Sequence, residues 1–289
     1  MKKKFLSVMM ISAMALSLAA CGSSSTTATS DASAESTSTA SEDTASEAQE
    51  DDAADSDLAA IQEKGTLVVG VTDFEPMDYK DADGNWIGFD ADLATAFAES
   101  LGVEVEFVEI DWDYKIPELN AGTIDCVWNG MTLVDEVLSS MECTNAYCNN
   151  AQVVIVKADV ADQYQDTDSL SDLVFAVESG SAGMEQAVAY DLQYNEVSSQ
   201  AAALMEVAAG TSDAAIIDSL MAAAMVGEGT SYADLTYTCG LNSEEYGVGF
   251  RQGSDLAAAL NQFFVDSYAD GSMMELAEKY GVQAAIIEQ

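Results

Sequence analysis

The sequence predicts an α/β fold with mostly parallel sheets flanked by helices. Three observations predict it. Short apolar runs read as buried strands, stretches with apolar residues at helical spacing lie between them, and the two kinds of segment alternate along the chain.

Residues 67–71 carry Leu67, Val68, Val69 and Val71, an apolar run that reads as a buried strand. From 90 to 101, Leu93, Ala94, Phe97 and Leu101 recur at helical spacing. In 103–110, Val103, Val105 and Phe107 alternate with Glu104 and Glu106, the mark of a half-buried strand. Asp113 reads as a helix N-cap, with Pro117 in the first turn, where its missing N–H costs nothing. Residues 124–128, 153–156, 174–177 and 214–217 are further strands. Helices are expected over 184–192, 201–209, 219–226, 255–269 and 273–280. The folded part begins near Leu58, leaving about 230 residues, enough for one large domain or two lobes. Ligands of such folds sit in crevices at the carboxyl ends of strands.

Charge narrows the function. The 289 residues hold 51 Asp and Glu against 9 Lys and Arg, a formal net charge of −42. Binding to a phosphate backbone needs the opposite sign, so no nucleic-acid partner is expected. Docking on anionic lipid through a basic patch is excluded on the same ground. No histidine is present. That removes Ser-His-Asp and Cys-His catalysis and histidine-ligated metal, and no cofactor is expected. The 180–183 segment Gly-Ser-Ala-Gly is no nucleophile elbow: Ser179 precedes it and no His base can follow.

The N-terminus reads as a targeting segment. Lys2, Lys3 and Lys4 form a positive region, and residues 5–20 an apolar one too short for a comfortable membrane span. It ends Leu18-Ala19-Ala20-Cys21-Gly22, which resembles a bacterial lipobox, so residues 1–20 are a signal peptide and Cys21 carries lipid. The following stretch, 22–57, is Ser, Thr, Ala and acid with nothing apolar larger than Ala. It cannot bury enough surface to offset its ordering entropy, so 21–57 is expected to be a disordered acidic tether.

A family resemblance rests on motifs in order. These are Gly65-Thr66-Leu67-Val68-Val69-Gly70-Val71-Thr72, Pro76, Asp83-Gly84, and Gly88-Phe89-Asp90-Ala91-Asp92-Leu93. Ile116-Pro117-Glu118-Leu119, Gly122-Thr123-Ile124-Asp125 and Asn129-Gly130-Met131-Thr132 follow. Ala214-Ala215-Ile216-Ile217-Asp218, Tyr246-Gly247-Val248-Gly249-Phe250 and residues 271–280 complete the series. The chain resembles extracellular solute-binding proteins of family 3, which serve amino-acid ABC importers. The resemblance implies a two-lobed periplasmic-binding-protein-like fold with two hinge strands. Lobe 1 is then 58–150 plus 244–289, and lobe 2 is 151–243. It also implies a chain that closes on its ligand like a clam and hands it to an importer permease. A monomer is expected, and the lipobox with the acidic tether predicts that it is held by lipid on Cys21 at the extracellular face of the cell membrane. Two alternatives stay open: a surface adhesin or sensor derived from the fold, and a dehydratase-like enzyme.

The same resemblance places ligand contacts. Phe74 matches a loop aromatic set against the ligand, with Glu75 beside it on the cleft rim. An aromatic face there offers apolar area and a π surface for an ammonium. Trp112 fits two positions, facing the ligand or packing on the helix of Pro117. Asn129, Gly130 and Thr132 match contacts after the 124–128 strand and also suit a tight turn. The Gly-rich loop with Ser179, Ser181 and Ala182 matches the carboxylate-binding loop, where a helix N-terminus suits an anion. Asp218 matches the acid that binds the substrate ammonium, and an N-cap is its other reading.

One departure stands out. The family pattern carries a carboxylate-clamping Arg five residues past Thr132, and this chain has Val137 there. Its single Arg is Arg251, in a segment that matches the back of lobe 1. With the fork gone and acids such as Asp73, Glu75 and Asp111 at the rim, the cleft leans toward amine-bearing ligands. Lys115 is the nearest other cation in sequence. Cys126 reads as a buried thiol, while Cys143 and Cys148 are spaced either to bridge or to stay free.

Overall fold

The computed structural model of the chain describes residues 56–289. The expected signal peptide, the lipid-bearing Cys21 and the tether up to residue 55 lie outside the described residues. Ser56 caps the first helix, α1 (Asp57–Lys64), by accepting from the Ala59 N–H at 3.0 Å. Two residues expected in the tether thus belong to the fold. Ser56 also donates to Asp255 at 2.5 Å, and Asp57 pairs with Arg251 at 3.1 Å.

In chain order there follow β1 (Thr66–Val71), the small hairpin β2 (Tyr79–Lys80) and β3 (Trp86–Ile87), α2 (Phe89–Leu101) and β4 (Glu104–Glu109). Then come α3 (Lys115–Ala121), β5 (Cys126–Thr132), α4 (Asp135–Ser140), β6 (Glu142–Cys143) and β7 (Cys148–Asn150). The middle of the chain gives β8 (Gln152–Lys157), β9 (Val174–Glu178), α5 (Ala182–Ala189), β10 (Gln193–Val197), α6 (Gln200–Ala209), β11 (Ala214–Asp218), α7 (Ser219–Met225) and β12 (Leu235–Gly240). β13 (Glu244–Phe250), α8 (Leu256–Asp270) and α9 (Ser272–Tyr280) close it.

Two sheets result. The first runs β4-β1-β5-β13-β6, with β7 also on β13; the second runs β10-β9-β11-β8-β12. Neither is mostly parallel: two of five strand pairings in the first and two of four in the second are parallel. The βα units deliver parallel neighbours, β4 and β5 on β1, and β10 and β11 on β9. β8 and β13 instead arrive directly from the other sheet, without a helical crossover, and pair antiparallel. The chain passes between sheets after β7 and returns before β13. These crossings run side by side: Glu244 pairs with Asn150, Gly240 with Val153, and the Leu241 N–H donates to the Gln152 carbonyl at 2.8 Å.

Alternation along the strands sorts the core. In β5, Cys126 and Trp128 join the cluster under α2 and α8, where Trp128 lies 6.3 Å from Phe97 and 5.8 Å from Phe264, ring to ring. Val127 and Met131 point to the other face, with Trp112, Leu119, Val137 and Met141. In the second sheet Val154, Phe175, Val177 and Ile216 fill one side, and Ile155, Ala176, Ala215 and Ile217 the other.

Some local expectations are corrected. Asp113 is not the cap before α3: Asp111 accepts from the Asp113 N–H and caps a 3-10 turn over 112–114 that leads into α3. Pro117 is in the first turn of α3, as expected. β5 runs through Asn129, Gly130 and Thr132, so these residues lie in a strand and not in a turn after it. The register against β13 slips there, with Met131 opposite Gly247 and Val127 opposite Gly249. Cys126, Cys143, Cys148 and Cys239 are all free thiols.

Candidate functional site

β1, β5, β9 and β11 all end toward the space between the sheets, and each delivers a side chain there: Thr72, Thr132, Glu178 and Asp218. Together with α3, α4, α5 and α6 they line a cavity of about 30 Å³. That volume holds about one or two waters. The lobes meet across it. The Lys115 ammonium donates to the Gly180 carbonyl oxygen at 2.9 Å, and a Cβ on Gly180 would lie 2.8 Å from the Asp113 Cα.

The floor is built first. Gly130 adopts φ +55°, and its N–H donates to Asp90 Oδ2 at 2.7 Å. A Cβ here would come within 2.5 Å of the Phe74 ring and 3.1 Å of Tyr246, so only glycine allows this close approach. Asp90 also accepts from Tyr147 at 2.8 Å and is fully buried; burial raises its pKa to about 7. Asn129 uses its whole amide internally. It accepts from the Thr72 N–H and hydroxyl and donates to the Thr72 carbonyl and to Asp78. Phe74 and Tyr246 meet edge to face at 6.3 Å.

Asp218 ends β11 at the N-cap position of α7, but its side chain makes no capping hydrogen bond. Its carboxyl accepts from Gln152 at 2.8 Å, Tyr246 at 2.9 Å, Asn150 and Gln200. Asn150 and Gln152 flank the first crossing and also donate to Glu244, on the second. Thr132 joins the same knot through Glu244 at 3.0 Å. Burial, then the Glu244 charge, pushes the Asp218 pKa well up. Glu178 ends β9 at 3% exposure, and its Oε1 has no hydrogen-bond donor. Burial, then Asp218, raises its pKa to about 8. Burial lowers the pKa of Lys115.

Of the residues singled out in the sequence, Phe74, Trp112, Asn129, Gly130, Thr132, Ser181, Ala182 and Asp218 line this one cavity. Two do not. Glu75 lies outside the lining, and the Ser179 hydroxyl turns to Glu196 at 2.6 Å. Trp112 meets both of its readings, since it lines the cavity and packs in the cluster with Leu119. Val137, 1% exposed, lines the wall from that cluster. Sequence reasoning missed Thr72, Met131, Val134, Glu136, Glu178, Glu185 and Gln200, which also line the cavity. Strand ends carried a usable signal for Thr72 and Glu178, each at the carboxyl end of an apolar run.

The family sequence model of bacterial extracellular solute-binding proteins, family 3, matches residues 67–283. The chain belongs to that family. Two relatives are similar over most of their length. The L-cystine-binding protein TcyJ of Escherichia coli is 26% identical over 228 residues, 77% of this chain and 85% of that one. The L-arginine-binding protein of Pseudomonas aeruginosa is 29% identical over 225 residues, 72% and 84% of the two chains. A solved substrate-binding protein of an ABC uptake transporter from Streptococcus pneumoniae, with bound histidine, superposes with a TM-score of 0.73 at 29% identity. It covers 80% of this chain and 99% of that one.

Proposed function

We propose that this chain binds one amino acid between its lobes, without chemistry, and delivers it to the permease of an ABC importer. Solute binding is the role of its family, and the relatives described above are named for cystine, arginine and histidine. The carrying observation is the cavity itself. It is walled by strand ends from both sheets, and those sheets are joined only by two adjacent crossings. It lies between the two sheets, so a solute enters and leaves as the lobes part at the crossings. Residues 58–150 with 244–289 then move as one body and 151–243 as the other. Closure brings Phe74, Trp112, Gly130, Thr132, Ser181, Ala182 and Asp218 around the solute and hides it from water.

The protein works as a monomer tethered by lipid on Cys21, facing the extracellular side. No helix among the described residues is long and apolar enough to cross a membrane. A thermal-shift screen of the common amino acids and cystine tests the reading, because a solute that binds only the native state raises its melting temperature. A rise with at least one amino acid is expected; no rise with any of them contradicts it. Labelling cells with a palmitate analogue tests the anchor: Cys21→Ser is expected to abolish incorporation.

A further inference from the structure

Residues 281–289 leave α9 and run to β7, the strand from which the chain passes into the second sheet. At the start of this run α9 is fixed to α2, with Lys279 and Tyr280 on Asp92 at 2.6 and 2.7 Å. Val282 is buried, and its carbonyl oxygen accepts from the Ala285 N–H at 2.9 Å. From there the segment lies antiparallel along β7. The Asn149 N–H donates to the Ala285 carbonyl oxygen at 2.7 Å, and the Ile287 N–H to the Tyr147 carbonyl oxygen at 2.9 Å. Cys148 and Ile286 stand opposite each other between those bonds. The Asn149 and Gln289 side-chain amides add bonds to the Ala285 and Ala146 carbonyl oxygens at 3.2 and 3.1 Å.

The position of these bonds gives them a role. β7 has three residues and pairs with β13 on one edge, and only Ala151 separates it from β8. Parting of the lobes therefore pulls directly on β7. A strand this short, paired on one edge alone, has few ladder bonds to resist the pull. The residues at either end of the clasped stretch also serve the site. The Tyr147 hydroxyl donates to Asp90, which accepts from the Gly130 N–H, while Asn150 donates to Asp218 and Glu244. The segment itself is shallow: Ala285, Ile286 and Ile287 are half-buried, and Ala285 and Ile286 pack at the margin of the core. It can lift without opening the core beneath it.

We propose that residues 285–289 form a strap that holds β7 in the first sheet, so that lobe opening bends the chain at Ala151 and does not peel β7 from β13. With the strap released, the bend spreads into β7 and the lobes part further. The proposal depends on lobe opening and not on which solute is bound, so it stands or falls apart from the amino-acid reading.

Three forms of the full chain test it: the wild type, a chain ending at Ala284, and Ile286→Cys. In the last, the new thiol faces Cys148 across a non-hydrogen-bonded antiparallel pair. Such pairs hold their Cα atoms about 4.5 Å apart, which admits a disulfide. Ile286→Cys is compared oxidised and reduced. Two quantities are read on the unliganded protein: amide hydrogen exchange over Glu244–Tyr246, the part of β13 that pairs with β7, and the radius of gyration. The chain ending at Ala284 is expected to exchange about tenfold or more faster there and to have a larger radius. Oxidised Ile286→Cys is expected to exchange more slowly there than its reduced form, with a radius no larger than that of the wild type. Exchange in α2 and β9 is expected to stay within about twofold of the wild type throughout. Unchanged exchange over Glu244–Tyr246, or an unchanged radius, in the shortened chain overturns the proposal. Faster exchange throughout lobe 1 overturns it as well, because the segment then supports the whole lobe and not the hinge strand.

Discussion

The Lys115 ammonium of one lobe donates to the Gly180 carbonyl oxygen of the other at 2.9 Å. This is a charge-assisted bond across the cleft. Such bonds contribute about 1.5–3 kcal/mol when desolvated, enough to move an open–closed equilibrium by about tenfold or more. Lys115→Met is therefore expected to open the unliganded protein. Small-angle scattering checks this: the radius of gyration rises in the variant, and an unchanged value contradicts the bridging role.

Gly130 carries the second prediction. Its φ of +55° and the 2.5 Å approach that a Cβ would make to Phe74 leave no room for alanine. Gly130→Ala is expected to destabilise by about 2 kcal/mol or more, because the backbone conformation and the aromatic contact both resist it. Urea denaturation of the variant checks it, and a change under about 0.5 kcal/mol contradicts the close approach.

A pH effect follows from the buried carboxyls. Burial raises the pKa of Asp78, Asp90, Glu178 and Asp218, to about 7 for Asp90 and about 8 for Glu178. In the unfolded chain these groups titrate near about 4. Between the two limits the native state binds more protons than the unfolded one, so stability falls as pH rises from about 4 to about 8 and levels off beyond. The melting temperature of the unliganded protein at fixed ionic strength is expected to drop from pH 5 to pH 8. A rise over that range contradicts it.

Much of the fold was legible because its central strands are buried on both faces. β1 and β11 announce themselves as unbroken apolar runs. β10 did not, since Gln193, Asn195 and Glu196 on this edge strand face solvent and leave no apolar signature. The antiparallel pairings of each sheet were hidden for another reason. Strand direction there depends on where the chain crosses between sheets, which no local pattern records. At the site, Gly130 was legible from its motif and Lys115 from its nearness in sequence, whereas Glu178 was missed as a lone acid directly after an apolar run. Ser179 misled because its neighbours do line the cavity; one step along the chain turns its hydroxyl to Glu196.

Calorimetric titration of the wild-type chain with amino acids is the most direct measurement of solute binding by closure. One amino acid is expected to bind with one site per chain and a negative heat-capacity change, as the apolar faces of Phe74 and Trp112 close on it. The solute recovered afterwards is expected to be chemically unchanged. Absence of binding by every amino acid, or recovery of a converted product, contradicts an amino-acid-binding role.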